Sequence, residues 1–220
     1  MQLMKKGTGF IIAGLCLIAA AIALTGYHLW DNQRAGQAAQ AALEQLVTRI
    51  EADPVPAPEA GQTAQEIEYP DYVLDPEMDM PAETIDGSAY IGILSIPAIS
   101  CELPVLGQWS YANLRNGPCR YSGSAYLDDL VICAHNYWIH FGSLKYLRYG
   151  DSVTLTDTDG NAFRYQVMEI ETLPPTAVEE MTDSEYDLTL FTCTVGGAAR
   201  VAVRCERAQD EGVQYERTTA

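Results

Sequence analysis

The chain of 220 residues carries a formal net charge of −17, which argues against a nucleic-acid partner because phosphate backbones bind to basic surfaces. Its length fits one ordinary domain with accessory segments. The six cysteines include no C-x-x-C pair and lack the dense spacing of a disulfide scaffold, so neither a structural zinc site nor another cofactor is predicted.

The N-terminal segment predicts a membrane anchor. Residues 10–30 are almost wholly apolar and reach the length of about 20 residues that a bilayer span needs. Tyr27 and Trp30 suit the far interface, and two lysines in residues 1–9 indicate that this end is cytoplasmic, with the rest of the chain outside the cell. A cleaved signal peptide is the alternative, since Ala21-Ile22-Ala23 resembles a cleavage site. The apolar run continues past it, so we expect an uncleaved single-pass anchor in the cell membrane.

Two accessory segments follow the span. Residues 31–53 are rich in alanine, with Leu43 and Leu46 at helical spacing, and predict a helical stalk; a coiled coil or partner helix is the alternative. Residues 54–87 are proline-rich at first and then acidic, which predicts a solvated linker. Aromatic and apolar residues within this linker leave open a lid that packs over a groove. At the other end of the chain, residues 208–220 are expected to form a frayed polar tail.

Residues 88–207 have the pattern of an all-β domain. Short apolar or alternating runs are divided by turn residues, and Asp159-Gly160 is a strong hairpin signal. The expected strands cover residues 90–97, 102–106, 129–135, 152–156, 163–173, 186–194 and 200–206. Short helical segments are expected at residues 111–114, 141–147 and 176–181. Strands at this spacing predict a β-barrel or a β-sandwich.

The candidate site is formed by the ends of three of these strands. One strand ends on Cys193, an upstream apolar run ends on His135, and the strand after the Gly196-Gly197 turn begins at Arg200. A thiol, an imidazole and a fixed cation are the groups needed for acyl transfer through a thioester. A lone cysteine in a strand is more often a small core residue, so the prediction depends on the presence of the imidazole and the guanidinium at the other two strand ends.

The histidine and the arginine have competitors. His140 competes with His135 as the base, although it lies beyond the strand. Arg204 and Arg207 compete with Arg200, which is nearer to the turn that follows Cys193. Alternation places Arg204 on the same strand face as Arg200, but Arg204 is interpreted as a solvent-exposed or rim charge.

Neighbouring residues allow further interpretations. Thr192 is expected to support the site through a hydrogen bond or to contact substrate, with β-branched filling of the strand as an equally good account. Cys133 shares the strand face of His135, so a disulfide to Cys193 is conceivable, but a buried spectator thiol is preferred. Four turn carboxylates allow a calcium site but are better explained as solvated side chains: Asp128, Asp129, Asp157 and Asp159. No carboxylate stands out as a partner that orients the histidine.

Taken together and in this order, the motifs resemble the sortases, a family of membrane-anchored cysteine transpeptidases of Gram-positive bacteria. The family's T-L-x-T-C signature is complete at Thr189–Cys193, and the resemblance covers about residues 88–207. The other matching segments are Tyr90–Pro97, Leu130–His135, Gly150-Asp151 and Arg200–Arg204. The short connection between Cys193 and Arg200 is more similar to class D or class A than to class B.

The resemblance implies a closed eight-stranded β-barrel, with a groove for a C-terminal sorting signal such as L-P-x-T-G. It implies that Cys193 attacks the Thr-Gly carbonyl to form a thioacyl enzyme, that His135 transfers protons, and that Arg200 stabilises the oxyanion. The implied partners are a secreted protein or pilin that bears the signal, and an amine from a peptidoglycan precursor or a pilin lysine. A hydrolytic cysteine peptidase and a non-catalytic, membrane-tethered peptide-binding module remain alternatives.

Overall fold

The computed structural model describes residues 3–52 and 69–208, with side chains from residue 8 onward. The helices in these ranges are α1 (Leu3–Ala52), α2 (Asp71–Leu74) and α3 (Val178–Thr182). The strands are β1 (Glu83–Ile85), β2 (Ser88–Ile96), β3 (Cys101–Leu106), β4 (Cys119–Ser122), β5 (Leu130–Cys133), β6 (Ser152–Asp157), β7 (Ala162–Leu173), β8 (Leu188–Cys193) and β9 (Arg200–Arg207). Short 3₁₀ turns lie at Pro97–Ile99, Asn113–Arg115 and Leu144–Tyr146. The proline-rich start of the predicted linker and the predicted tail beyond residue 208 lie outside the described residues.

Strands β2 to β9 close into a barrel. Their order around the ring is β2-β3-β4-β5-β8-β9-β7-β6, and β6 pairs with β2 to complete it. The predicted eight-stranded all-β barrel is therefore confirmed. Strand β1 is an addition within the predicted linker. It pairs with β2 outside the ring, through a tight turn in which Asp86 and Gly87 both have positive φ.

Two apolar clusters lie on opposite faces of the barrel wall. The first fills the barrel and takes inward residues from all around the ring, such as Leu94, Ile132 and Leu190. The second lies outside the wall, where Phe191 packs in one cluster with Leu46 of α1. Because side chains alternate along a strand, β5 and β8 contribute to both clusters. The barrel wall is thus buried on both sides around β5 and β8.

Helix α1 has two parts with different surroundings. As far as Trp30 its described side chains are mostly apolar and nearly all of them are exposed, and this is the helix in the described part of the chain that is long and apolar enough to cross a membrane. From Asp31 onward the helix packs on β1, β2 and β3. The side chains buried in this contact are Ala35, Ala39, Ala42, Leu43 and Leu46. The predicted helix after the span is present, but its apolar face packs on the barrel instead of forming a free stalk.

Part of the predicted solvated linker also packs on the barrel. Tyr72 of α2 stacks on Tyr126 at 4.7 Å between ring centroids and meets Phe163 edge-on at 5.2 Å. Met80 is buried in the cluster that fills the barrel. The acidic composition of this segment predicted a solvated linker, because charged residues outnumber its few aromatic ones. Each aromatic ring nevertheless buries a large apolar area when it packs.

Candidate active site

The register of three adjacent strands brings the predicted site residues to one level. Strand β8 pairs in parallel with β5, where Cys133 lies opposite Phe191, and the amide of Ala134 donates to the carbonyl of Phe191 at 3.2 Å. His135 is the next residue beyond this ladder. On its other side, β8 pairs antiparallel with β9, where Cys193 lies directly opposite Arg200. The ends of β5, β8 and β9 therefore meet along one edge of the barrel.

Cys193 and Arg200 also share a face of the sheet. Directly opposed residues project to one side of a sheet, and so do residues two apart along a strand. Cys133 and Phe191, two residues before His135 and Cys193, belong to the cluster outside the barrel wall. Cys193 and Arg200 are therefore on the outer face of the wall, at the end of the strands and away from the barrel interior. His135 lies two residues beyond the last residue of β5, at the same end.

Cys193 opens on a cavity. Its side chain is half-buried, and it lines a depression of about 350 Å³ at the barrel edge. The other lining residues are Asn136, Trp138, Phe141, Gly142, Lys145, Thr192, Thr194, Val195 and Val201. The lining mixes apolar side chains with one cation, and it takes no residue from α2 or its flanks among the described residues. Cys193 is therefore accessible from this cavity.

The other cysteines differ from Cys193. All six are free, and Cys16 lies in the exposed apolar part of α1. Burial raises the pKa of Cys101, Cys119 and Cys205 to about 12, and it also raises the pKa of Cys133. These four buried thiols stay protonated at neutral pH and are inert, which agrees with the interpretation of Cys133 as a spectator.

Thr192 connects β8 to the segment that carries the histidine. Its side chain is buried, and its hydroxyl Oγ1 donates to the backbone carbonyl of Ala134 at 2.8 Å. This bond fixes the backbone next to His135 relative to the residue before Cys193. The predicted supporting hydrogen bond is present, and a direct contact between Thr192 and substrate stays a prediction.

His135 is half-buried and stands between two opposite charges. Burial lowers its pKa below the ordinary value, Arg115 lowers it further, and Asp31 acts in the opposite direction. The ring of Tyr137 lies 4.9 Å from the imidazole, and its hydroxyl donates to Oδ2 of Asp31 at 2.6 Å. Sequence reasoning identified no carboxylate near the histidine. Asp31 lies 106 positions before its partner Tyr137, just after the apolar span, and no local pattern connects the two.

His140 lies in the core rather than at the barrel edge. Its side chain is 1% exposed, and neither ring nitrogen has a hydrogen-bond partner among the described residues. Burial lowers its pKa to about 4, so the ring is neutral at physiological pH. His135 is the more exposed imidazole and the one level with Cys193, which favours it as the base.

Arg200 and the turn before it form the third part of the site. Gly196 and Gly197 have φ values of 84° and 76°, which glycine adopts without strain, and the amide of Thr194 donates to the carbonyl of Ala199 at 2.9 Å. The partly exposed guanidinium of Arg200 donates from Nη1 to the carbonyls of Gly197 at 3.2 Å and Ala199 at 3.1 Å. The guanidinium is thus held against the turn that follows Cys193.

Arg204 was wrongly interpreted as a solvent or rim charge. Its side chain is 3% exposed. Its Nε donates to Oε1 of Glu171 at 2.8 Å, its Nη1 donates to Oγ1 of Thr189 at 2.9 Å, and its Nη2 donates to the carbonyl of Glu180. The neighbouring strand β7 supplies the carboxylate, and sequence alternation does not show which strand is the neighbour. Arg207, at the far end of β9, pairs with Asp128 and stacks on Phe163, so neither competitor lies beside Cys193.

Among the four turn carboxylates, Asp157 differs from the prediction of a solvated side chain. Asp157 is buried rather than solvated: it accepts from the hydroxyl of Tyr126 at 2.8 Å, from the amide of Asp159 at 3.0 Å and from both nitrogens of Asn161. Within residues 3–52 and 69–208, no group of three or more histidine, cysteine or carboxylate side chains is arranged to hold a metal ion.

Comparison with known proteins identifies the family. A sequence model of the Sortase domain matches residues 94–208, just over half of the chain. The chain belongs to the sortase family. It is 28% identical over 136 residues to Sortase A of Bacillus anthracis, a match that covers 59% of this chain and 62% of that relative, which is less than two thirds of its length.

Solved structures of other sortases share the fold. This sortase is similar to sortase C1 from Streptococcus agalactiae, with 27% sequence identity and a TM-score of 0.50, covering 58% of this chain and 72% of that one. A sortase D5 transpeptidase from Clostridium perfringens has a TM-score of 0.55 at 18% identity, covering 79% of this chain and 99% of that one. These relatives carry the class names A, C1 and D5, which leave the class of this sortase open, and its likeness to class D or A over class B stays a prediction.

Proposed function

We propose that this sortase is a cysteine transpeptidase that cleaves a C-terminal sorting signal of the L-P-x-T-G kind and joins the upstream part to an amine. The observation that supports the proposal is the level that Cys193, His135 and Arg200 share at the ends of three adjacent strands, where Cys193 lies directly opposite Arg200. Cys193 also opens on a cavity, as a nucleophile that meets a peptide must. Membership of the family is consistent with this chemistry.

The first half of the reaction forms a thioester. Neutral His135 takes the thiol proton of Cys193, and the thiolate attacks the carbonyl carbon of the Thr-Gly bond. The C–N bond then breaks as the imidazolium returns the proton to the departing amine. Arg200 stabilises the negative oxygen of the tetrahedral intermediate, a role that suits a guanidinium because it is permanently charged and planar.

The second half transfers the acyl group. His135, neutral again, takes a proton from the incoming amine, which attacks the thioester and releases the Cys193 thiolate. The lowered pKa of His135 keeps most of the imidazole in the neutral form that both halves require at the start. The half-buried setting of the thiol limits access of water, which would otherwise compete with the amine.

The proposed partners and location follow from the reaction. The donor is a secreted protein or pilin that carries the sorting signal, and the acceptor is an amine of a peptidoglycan precursor or a pilin lysine, as in a Gram-positive cell wall. Residues 10–30 form the anchor in the cell membrane, with residues 1–9 cytoplasmic and the catalytic domain, residues 88–207, outside. The apolar, exposed surface of α1 before Asp31 supports the anchor.

Incubation with a library of L-P-x-T-x peptides plus triglycine tests the function. Mass spectrometry is expected to show cleavage after the threonine and a new amide between threonine and triglycine, and Cys193→Ala is expected to give neither product. Release of the free acid alone, whatever the triglycine concentration, would show a hydrolytic peptidase instead. Processing that survives in Cys193→Ala, or binding of peptide without processing by the unaltered chain, would contradict the assignment to a cysteine transpeptidase.

A further inference from the structure

The barrel contacts α1 immediately after the apolar span. Tyr27 and Trp30 are exposed rings at the end of that span, and Asp31, the next residue, already accepts the hydroxyl of Tyr137 at 2.6 Å. One turn later, Gly36 faces Ile139, so closely that a Cβ on the glycine would lie 2.9 Å from Ile139 Cδ1. No spacer therefore separates the apolar span from the loop that follows His135.

Helix geometry gives the distance between this loop and the end of the apolar span. Asp31 and Gly36 are five residues apart, which is about 8 Å along a helix. The headgroup layer on each side of a bilayer is roughly 5–8 Å thick. Tyr137 and Ile139 contact the two helix positions directly. With Trp30 at the interface, this loop therefore lies at the depth of the lipid headgroups.

The charge of the chain is unevenly distributed along the sequence. Residues 103–150 contain two of the 30 acidic residues, Asp128 and Asp129, together with four cations: Arg115, Arg120, Lys145 and Arg148. Asp129 comes directly before β5 and His135 just after it, so about six residues of extended chain, roughly 20 Å, separate the acids from the site. Asp31 and Glu102 do lie at the site end of the barrel, with Glu102 lining a cavity together with Trp138 and Ile139. The group here that suits anionic headgroups is the exposed Lys145, which lines the cavity beside Cys193 together with Trp138.

Exposed aromatic rings lie on the loops of this end. Trp138 is 70% exposed and Tyr146 packs against it at 6.4 Å between ring centroids, with the Lys145 ammonium 5.1 Å above the Tyr146 ring. Tyr111 is 77% exposed and lies 5.3 Å from the ring of Trp109. Tryptophan and tyrosine prefer the bilayer interface, where the ring meets the apolar boundary and the polar atom stays hydrated.

We propose that the site end of the barrel rests on the surface of the bilayer that holds α1, with Trp138, Tyr146 and Lys145 in contact with lipid headgroups. The proposal rests on the membrane anchor proposed above but not on the transfer reaction. Trp138 and Lys145 also line the cavity beside Cys193, so that cavity opens at headgroup level. It is placed to receive chain segments that leave the same membrane.

The three tryptophans of the chain, Trp30, Trp109 and Trp138, allow a direct test. Full-length protein is placed in nanodiscs of phosphatidylcholine and phosphatidylglycerol, with bromine on the acyl chains near the headgroups. Trp→Phe pairs leave a single tryptophan at position 30 or 138. The matched control carries Leu127→Trp in a background without the other three, because Leu127 is exposed and adjoins Asp128 at the opposite end of β5.

Bromine is expected to quench Trp30 and Trp138 several-fold more strongly than the tryptophan at position 127. Strong quenching at Trp30 with equal, weak quenching at 138 and 127 would overturn the surface contact while leaving the anchor intact. Absence of quenching at Trp30 would overturn both. Hydrogen exchange of the unaltered protein gives a second measurement without substitutions: residues 137–149 are expected to be better protected in nanodiscs than in detergent, and unchanged protection there would also overturn the contact.

Discussion

At the scale of single residues, the protonation of His135 depends on two charges that come from other parts of the chain. Burial lowers its pKa, the Arg115 cation lowers it too, and the Asp31 carboxylate raises it. The Tyr137 hydroxyl, whose pKa is raised to about 12 by burial and by Asp31, stays protonated and keeps the carboxylate in place. The pKa of His135 therefore depends on a residue of α1 and on a residue of the turn that contains Arg115.

This arrangement predicts opposite shifts from two charge-removing substitutions. Arg115→Gln is expected to raise the pKa of His135, and Asp31→Asn is expected to lower it, because each removes one of the two opposing charges. Titration of the imidazole resonances by NMR measures both. The acid limb of turnover against pH is expected to move in the same direction as the pKa.

Arg49→Gln is the matched control, since Arg49 pairs with Glu83 on another part of α1. Shifts of the same sign in Arg115→Gln and Asp31→Asn would show that the substitutions act through rearrangement rather than through charge.

At the scale of elements, strand β9 carries two arginines on one face with different tasks. Arg200 is partly exposed opposite Cys193, whereas Arg204 is buried and bonded to three neighbouring groups. Removing one partner of a buried ion pair leaves the other charge without compensation, which costs about 3–5 kcal/mol. An exposed side chain carries no such penalty.

Urea unfolding of two matched variants checks this difference. Arg204→Gln is expected to lower the free energy of unfolding by about 3 kcal/mol. Arg200→Gln is expected to change it by less than about 1 kcal/mol while reducing turnover roughly 10²-fold or more, as for the loss of an oxyanion donor. The reverse pattern, with Arg200 needed for stability and Arg204 for turnover alone, would contradict the division of roles.

The elements also show how far a sequence can be interpreted. Alternating runs and the Asp159-Gly160 turn predicted the barrel strands other than β4 (Cys119–Ser122), and the order of the motifs around Cys193 predicted the family, because both are local patterns. The docking of α1 and the burial of Arg204 depend on contacts between distant segments. The link from Asp31 to Tyr137 is of the same kind. Strand β1 is local, since it pairs with β2 across Asp86 and Gly87, but its three residues lie within a segment whose composition predicts a linker. The composition of the acidic segment near Tyr72 predicted a solvated linker, because its few aromatic residues change the average composition little compared with its many charged residues.

At the scale of the whole molecule, one buried group makes folding sensitive to acid. His140 has a pKa of about 4 in the folded protein, against about 6.5 for an ordinary histidine. The unfolded chain therefore binds a proton at this residue between those values while the folded protein does not, so the folded state loses stability as pH falls through this window.

His140→Phe is expected to weaken this pH dependence. When the pH falls from 7 to 5, the protein with His140 is expected to lose up to about 2 kcal/mol of unfolding free energy through this residue, and the variant is not. Urea unfolding at both pH values gives the difference, and His28→Phe, in the exposed apolar part of α1, is the control. An unchanged pH dependence in His140→Phe would show that the folded protein protonates this ring or that it is not buried.

The whole account requires that Cys193 carries the acyl group between donor and acceptor. Incubation of the full-length protein with an L-P-x-T-G peptide, without an amine and with acid quenching, allows the intermediate to accumulate for mass spectrometry. We predict an adduct with the mass of the peptide's upstream acyl part, located by peptide mapping at Cys193 and removed by triglycine. Cleavage of the peptide with no adduct, or with the adduct at another residue, would contradict the account.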